Sequence, residues 1–237
     1  MTLDKYLLVP DTHAPFHDVK AVRLMLKAAK IARIRNAVIL GDFADFISVS
    51  SHSKRPDQRN LKTEVDGVNK LLDEFDSVLR GRRIYISCNH EDRLQRYLQD
   101  KAPELFDTVH VAQLLSLKRR GWEFVPYKQH IKIGKLFLTH DAGRAGKTAH
   151  YDSLNAFQGN IVIGHTHRFG YAVEGSARGK PHVGAMLGWL GDISKVDYMH
   201  SIRAKRDWAH GFGIAYIEPD GCVHITPIPI VNGKVVV

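Results

Sequence analysis

Short apolar runs recur along the chain, and five of them end directly in a polar cluster. Each run has three to five residues, which is the length of a strand buried on both faces of a sheet. The runs and the clusters that follow them are residues 6–9 before Asp11-Thr12-His13, 37–40 before Gly41-Asp42, 84–87 before Cys88-Asn89-His90-Glu91, 136–139 before His140-Asp141, and 161–163 before Gly164-His165-Thr166-His167. The pattern predicts five buried strands with polar carboxyl ends.

Helical periodicity and further β-like runs lie around these strands. Helices are predicted over residues 19–34, 61–79, 94–98 and 145–157. Strands joined by hairpins are predicted in the glycine-rich C-terminal third, at 171–174, 213–217 and 222–230. No repeat or linker interrupts the chain, so we expect one domain over residues 1–237, with an α/β layered fold whose sheets are not purely parallel.

The five polar clusters supply carboxylate, imidazole and amide donors. Ligands of open α/β sheets collect beyond the carboxyl ends of strands, so we expect the clusters to converge in space. A mixed nitrogen and oxygen set of this kind indicates a site for Mn, Fe or Zn rather than a structural zinc site made of thiolates. Eight coordination positions are too many for one ion, whereas two ions bridged by a carboxylate such as Asp42 would use them all.

Each cluster taken alone has an ordinary structural explanation. An Asp-x-His or Gly-Asp at a strand end is usually a turn, and a lone His140 is usually a hydrogen-bonded structural residue. Two imidazoles two residues apart, as in His165 and His167, are less common without a metal. Five such clusters in one order, each on a strand end, indicate a metal centre.

The order of these motifs resembles that of the calcineurin-like metallophosphoesterase superfamily, in its compact bacterial and phage members. The matching segments are Asp11-Thr12-His13, Gly41-Asp42-Phe43-Ala44-Asp45, Asn89-His90-Glu91, His140 and Gly164-His165-Thr166-His167. The resemblance spans residues 11–167, about two thirds of the chain. It implies a four-layer αββα sandwich in which two mixed β-sheets are flanked by helices.

The resemblance also implies a role for each motif residue. It implies one ion held by Asp11, His13, Asp42 and His167, and a second held by Asp42, Asn89, His140 and His165. A hydroxide bridging the ions would attack the phosphate in line, and His90 would stabilise the transition state and protonate the leaving oxygen. Asp45 would hydrogen-bond His90 and keep it oriented and protonated.

Two positions depart from the pattern of the superfamily. Cys88 stands where glycine is usual, which predicts either a strained backbone or a small buried side chain; we favour burial over a ligand role. Phe46 stands where protein Ser/Thr phosphatases of the superfamily carry an arginine that grips phosphate, which argues against that branch.

The composition of the chain bears on its partners and on its location in the cell. The chain has 34 Lys and Arg against 25 Asp and Glu, a net charge of +9, together with 14 histidines, and the excess of base suggests a polyanionic partner. No apolar run reaches the ~18 residues of a membrane span, and the N-terminus lacks the pattern of a signal peptide. With two distant cysteines, we expect a cytoplasmic protein without membrane partners, in a bacterial or phage-infected cell.

Basic residues cluster in the loops beside the motifs, although any single one is ordinarily a solvated side chain. The candidate substrate-binding residues are Arg55, Arg144, Arg168, Arg206 and Trp208. Cations interleaved with an aromatic ring near residue 206 suit a nucleic-acid backbone and a stacked base. We therefore predict a Mn-dependent DNA endonuclease, with Fe, Zn, Ni or Co as other metals. A small-molecule phosphomonoesterase, a cyclic-nucleotide phosphodiesterase and a non-catalytic scaffold remain alternatives, and the sequence leaves any homodimer or partner protein open.

Overall fold

The structure is a computed structural model, and it describes residues 3–54, 56–58, 60–175, 179–195 and 207–236. Strands and helices alternate through the first two thirds of this part of the chain, and strands dominate the last third. The strands are β1 Asp4–Val9, β2 Asn36–Ile39, β3 Arg83–Ile86, β4 Trp122–Val125, β5 Ile131–Ile133, β6 Leu136–Thr139, β7 Asn160–Ile163, β8 Phe169–Glu174, β9 His182–Leu187, β10 Gly211–Ile217 and β11 Val223–Pro229.

Six strands form the first sheet, in the order β11-β10-β1-β2-β3-β4. Strands β1 to β4 run parallel to their neighbours, and β10 and β11 complete the sheet as antiparallel strands. The second sheet has the order β5-β6-β7-β9-β8, with β6, β7 and β9 parallel and the two edge strands antiparallel. Both sheets are mixed, as the motif resemblance implied.

The helices pack on the outer faces of the two sheets. They are α1 Val19–Ile31, α2 Leu61–Val78, α3 Asp92–Lys101, α4 Val111–Leu114, α5 Leu117–Arg120 and α6 Ala149–Phe157, with short 3-10 turns at Ile47–Val49, Pro56–Gln58, Pro103–Leu105 and Ile193–Lys195. No helix in the described part of the chain is long and apolar enough to cross a membrane.

Alternation along β1 shows how the layers form. Leu7 and Val9 pack with α1 and α2, whereas Tyr6 and Leu8 face a second apolar layer shared with strands of the other sheet. Helix α6 packs on the outer face of that sheet through Ala149 and Leu154. Successive side chains of a strand point to opposite faces, so a strand buried on both faces requires a covering layer on each side. The predicted αββα sandwich is confirmed.

The element predictions differ from the structure at identifiable places. The five motif strands and three C-terminal strands are present, with bounds shifted by one or two residues. Helix α1 ends at Ile31, earlier than the apolar spacing predicts, because Arg33 adopts a left-handed conformation with φ 54°. Strands β4, β5 and β9 were not predicted, since β4 reads Trp-Glu-Phe-Val with an exposed Glu123, and β5 has only three residues.

Candidate metal centre

The loops that follow β1, β2 and β3 meet the loops that follow β6 and β7 at one end of the two sheets. Asp11 and Asp42 come from the first sheet and His140 from the second, and all three side chains are buried. Within the first sheet, the Asp42 carbonyl accepts hydrogen bonds from the N–H groups of Thr12 and His13, both at 2.8 Å, and between the sheets the His165 N–H donates to Asp11 Oδ1 at 3.0 Å. The predicted convergence of the motifs is confirmed.

The first group of donors surrounds one point. One ligand atom from each of Asp11, His13, Asp42 and His167 lies within 4.8 Å of the others, and all four residues are buried. His13 Nε2 lies 3.0 Å from His167 Nε2, and His167 Nε2 lies 3.1 Å from Asp11 Oδ2. This is the set that the motifs assign to the first ion.

The second group lies on the other side of Asp42. His140 Nε2 is 3.0 Å from Asn89 Oδ1, 3.2 Å from His165 Nδ1 and 3.5 Å from Asp42 Oδ1. The other carboxylate oxygen, Asp42 Oδ2, faces the first group and lies 3.8 Å from His13 Nε2. Asp42 therefore stands between the two groups with one oxygen toward each.

The donor chemistry fits two divalent ions. Two nitrogen ligands of one ion, each ~2.0–2.1 Å from it, lie ~3.3 Å apart in tetrahedral geometry, close to the 3.0 and 3.2 Å separations of the two imidazole pairs. The far nitrogens are fixed by hydrogen bonds, because His13 Nδ1 lies 3.0 Å from Asp45 Oδ2 and His140 Nδ1 lies 2.9 Å from the Leu40 carbonyl. Such partners hold the Nε2 lone pairs toward a metal.

An unsatisfied carboxylate oxygen gives a second reason for the fit. Asp11 Oδ2 is buried, and although His167 Nε2 lies 3.1 Å away, no hydrogen bond of good geometry reaches this oxygen from the described residues, which is costly for a buried charge. A divalent cation among Asp11, His13, Asp42 and His167 would satisfy it. The residues present suit a divalent transition metal. Carboxylate and imidazole donors bind Mn, Fe and Zn alike, so the donor set does not identify the metal.

The backbone at this centre is held in an uncommon conformation. Four candidate ligands have positive φ, a region that costs non-glycine residues energy: His13 at 52°, Asp42 at 45°, His165 at 68° and His167 at 56°. A strained backbone of this kind persists only where the surrounding structure holds it in place, and such residues concentrate at functional sites.

Two glycines of the motifs are required by close packing. A Cβ on Gly41 would lie 2.5 Å from His140 Nδ1, and a Cβ on Gly164 would lie 2.6 Å from Asp11 Oδ1. Gly41 also has φ 92°, which glycine adopts without strain. The glycines of the Gly-Asp and Gly-His-x-His motifs therefore let the ligand loops of the two sheets touch.

Electrostatics favours an ionised bridging carboxylate. Burial opposes ionisation of Asp42, but the neighbouring His90, His140 and His13 outweigh burial and hold the pKa of Asp42 well below its usual value. Burial likewise opposes a charge on Asp45, yet His13 and His90 lower the pKa of this carboxyl too. Both carboxylates are therefore ionised at neutral pH, and their negative charges would partly neutralise bound metal cations.

His90 lies beside the bridging carboxylate without joining either donor group. Its Nε2 is 3.8 Å from Asp42 Oδ2, and its Nδ1 is 3.1 Å from the Asp45 carbonyl and 3.5 Å from Asp45 Oδ2. Burial disfavours the charged ring, but Asp42 and Asp45 outweigh burial and raise the pKa of His90. Asp45 is thus shared, with its carboxylate at hydrogen-bond distance from His13 and its carbonyl at hydrogen-bond distance from His90.

Arg93 is a neighbour of His90 that the motif analysis did not single out. Arg93 Nη1 donates to Asp45 Oδ1 at 2.9 Å and to the Asp45 carbonyl at 2.8 Å, and Nη2 lies 3.0 Å from His90 Nε2. An arginine N–H can donate only to an unprotonated Nε2, so a proton taken up there replaces that hydrogen bond. The run from Asn89 to Arg93 was the available sequence signal.

Cys88 and Glu91 anchor the Asp42 loop from behind. Cys88 is fully buried without positive φ, its Sγ accepts the Asp42 N–H at 2.9 Å, and the same sulfur contacts the carboxylates of Asp42 and Glu91. Glu91 Oε1 accepts from the N–H groups of Phe43 and Ala44 at 3.1 and 3.0 Å and from the Tyr85 hydroxyl at 2.7 Å. One buried oxygen therefore holds three donors.

Replacing Glu91 by alanine should destabilise the fold, because three buried donors lose their acceptor together. We expect Glu91→Ala to lower the free energy of unfolding by about 3 kcal/mol, and Tyr85→Phe, which removes one of the donors, by about 1 kcal/mol. Urea denaturation of the metal-free proteins measures both. Equal stabilities of Glu91→Ala and wild type would contradict the anchoring role.

The candidate substrate-binding residues are dispersed. Arg55 and Arg206 lie outside the described residues. Arg144 is exposed, whereas Arg168 is half-buried with Nη1 3.3 Å from the Thr166 carbonyl. Trp208 reaches the centre, because its ring lies 4.4 Å from His167 in an edge-to-face arrangement. These five assignments remain predictions.

Trp189 packs against the first donor group through His167. The buried indole stacks on His167 at 5.0 Å with 15° between the planes and contacts Trp208 at 4.8 Å. The stacked contact with Trp189 and the edge-to-face contact with Trp208 hold the His167 ring in one orientation. Sequence reasoning missed Trp189, since it follows an unpredicted strand and belongs to no motif.

Comparison with known proteins supports the fold. No known family profile matches the sequence. Two curated relatives, the Gene 54 proteins of Mycobacterium phages D29 and L5, are each 25% identical over 261 aligned positions that cover 97% of this chain and 95% of theirs. Among solved structures, Vacuolar Protein Sorting 29 from Cryptosporidium parvum superposes with TM-score 0.53 at 13% identity, over 99% of this chain and 95% of that one. The chain therefore shares the fold of that protein, with two mixed sheets flanked by helices.

Proposed function

We propose that this protein is a two-metal phosphoesterase that hydrolyses phosphodiester bonds of nucleic acid, acting as a Mn-dependent DNA endonuclease. The observation that carries the proposal is the position of Asp42, with one oxygen toward the His13 and His167 pair and the other toward the His140 and His165 pair. Two-metal hydrolytic sites of phosphatases and nucleases use such a shared geometry.

The chain's own residues provide the remaining chemical functions. When bound, the two ions supply charge neutralisation for the phosphate and an activated water. His90, beside Asp42 and outside both donor groups, is placed to stabilise the phosphate and to give a proton from Nε2 to the leaving oxygen. Asp45 fixes the ring through its carbonyl at Nδ1 in both protonation states, and Arg93 donates to Nε2 only while that nitrogen is unprotonated, so this hydrogen bond is given up in the acid form and regained once the proton has left.

Charge supports nucleic acid as the substrate class. The net charge of +9 favours a polyanion, and cations line the cleft beside His90. Trp208, half-buried at the edge of the first donor group, offers an aromatic face on which a base can stack. The two curated relatives are phage proteins aligned over nearly their full length, which agrees with the phage-type member that the motifs suggest.

An activity panel across metals and substrates tests the proposal. We expect metal-stripped protein to be inactive, and protein reloaded with Mn to nick supercoiled plasmid and to cleave bis-p-nitrophenyl phosphate faster than p-nitrophenyl phosphate. Reloading with Fe, Zn, Ni or Co ranks the other metals. Hydrolysis of the monoester without cleavage of any DNA would instead establish the small-molecule phosphomonoesterase.

A further inference from the structure

A basic groove opens beside His90, on the side away from the second sheet. It runs between α3 and the segment around the 3-10 turn Ile47–Val49, and encloses about 390 Å³. Its charged side chains are Lys54, Arg93, Arg96, Lys101 and Asp100, so four cations face one carboxylate. We call it the α3 groove.

Two arginines connect the α3 groove to the metal centre. Arg93 Nη2 lies 3.0 Å from His90 Nε2, the nitrogen that faces Asp42. Arg96 Nη2 donates to the Asn89 carbonyl at 2.9 Å, and its Nε pairs with Asp92 Oδ2 at 3.1 Å. The groove therefore begins next to His90 and Asn89, and His90 in turn lies beside the Asp42 carboxylate.

Two lysines supply positive charge farther along the groove. Lys54 Nζ donates to the carbonyls of Ser48 and Ser50 at 3.0 and 2.6 Å, which holds the ammonium in place. Lys101, at the end of α3, is exposed and has no ion pair among the residues described. Arg93 and Arg96 are already paired with Asp45 and Asp92. The positive charges of the two lysines are therefore the ones available to an anion in the groove.

The position of His90 decides which part of the substrate the groove faces. The proposed role of His90 is to protonate the leaving oxygen, so the leaving group must lie on the His90 side of the scissile phosphate. The α3 groove opens on that side through Arg93. A leaving group that carries a further phosphate would place this anion among the cations of the groove, where charge-assisted hydrogen bonds are strong.

We propose that the α3 groove is the leaving-group subsite and that Lys54 and Lys101 bind the next phosphate of a polynucleotide strand on that side of the cut. This inference rests on the proposed phosphodiesterase function and makes it more specific. It predicts a preference for leaving groups that bear an additional phosphate, and it assigns that preference to two lysines that belong to no motif.

Three thymidine dinucleotides test the subsite: one without terminal phosphate, one with a 5′-terminal phosphate and one with a 3′-terminal phosphate. Only one of the two added phosphates lies on the leaving side, so we expect one of them alone to raise kcat/KM, by about tenfold. The double variant Lys54→Gln, Lys101→Gln should lose that gain. Lys118→Gln, an exposed lysine that precedes β4 at the opposite end of the sheet, should keep it.

Binding gives a second readout that does not depend on turnover. The logarithm of affinity for single-stranded DNA falls with the logarithm of salt concentration by about 0.7 for each phosphate neutralised. For a labelled thymidine oligonucleotide and metal-free protein, the double lysine variant should lose the contact with one phosphate and therefore lower this slope by about 0.7, and Lys118→Gln should leave it unchanged.

The outcomes separate the subsite from the proposed function. Cleavage of plasmid together with an unchanged salt slope in the double lysine variant would overturn the subsite and leave the nuclease proposal standing. An equal gain from both terminal phosphates, or a gain that survives in that variant, would also overturn the subsite. Absence of all cleavage with a reduced slope would overturn the nuclease proposal and leave the groove as a polyanion-binding surface.

Discussion

Replacement of His90 by alanine should lower turnover by ~10²–10⁴-fold, the usual contribution of a positioned general acid, and leave the bound metal near its wild-type level. The reason is geometric, since His90 Nε2 lies 3.8 Å from Asp42 Oδ2, and the ring, although it forms a cluster of possible ligands with His13 and Asp45, lies outside the two donor groups that meet at Asp42. Loss of the ring removes a proton donor and a phosphate contact without removing a ligand. Steady-state kinetics on bis-p-nitrophenyl phosphate and elemental analysis of the same protein measure both quantities.

A second histidine variant controls for nonspecific effects. His224 is exposed on β11 and pairs with Glu218, so His224→Ala should retain wild-type turnover and metal content. If turnover of His90→Ala also stayed at the wild-type level, His90 would have no part in proton transfer. Loss of metal in His90→Ala would instead make it a ligand, contrary to its position between Asp45 and Arg93.

Asp42→Asn should also have a large effect, and we expect turnover to fall by at least ~10³-fold, because metal ions contribute several kcal/mol to transition-state stabilisation. The substitution keeps the shape of the side chain but removes the charge shared by the two donor groups. It leaves the imidazole pairs on either side without the anion that balances two divalent cations. Initial rates of diester hydrolysis at saturating metal measure the loss.

Asp66→Asn is the matched control for this experiment. Asp66 is an exposed aspartate on α2 that pairs with Lys62, far along the chain from any ligand loop. Its amide variant should match wild type in rate, because an exposed ion pair contributes little. Full activity of Asp42→Asn would show that neither ion depends on this carboxylate.

The ligand positions were predictable because each belongs to a strand end. Asp11, Asp42 and His140 follow, within three residues, the apolar runs that form β1, β2 and β6. A strand buried on both faces requires such a run, and parallel strands bring their carboxyl ends to one edge. The apolar pattern predicted the strands, and the topology of parallel sheets predicted that the residues after those strands meet in one site.

Other features depend on contacts that no local pattern records. Arg93 reaches Asp45 across 48 residues of sequence, and Trp189 stacks on His167 from a strand that the apolar pattern did not predict. The division of Asp45 between His13 and His90 likewise joins segments that lie 32 and 45 residues apart in the sequence. Such details are set by packing between sheets and become visible only in the folded chain.

Cys88 shows how a departure from a family pattern is accommodated. The position that the superfamily fills with glycine here has ordinary φ, and the thiol is buried behind Asp42. Burial, together with the carboxylates of Asp42 and Glu91, raises the pKa of Cys88 well above its usual value, so the sulfur is a neutral thiol. The preference for burial over backbone strain agrees with this geometry.

The ratio of bound metal to protein tests the central claim most directly. We expect wild-type protein, stripped with a chelator and reloaded with Mn, to retain two ions per chain after gel filtration, and Asp42→Asn to retain fewer than two. Elemental analysis by mass spectrometry gives the ratio for both. A wild-type ratio of one or less at saturating metal, with Asp42→Asn unchanged from it, would contradict a two-metal centre bridged by Asp42.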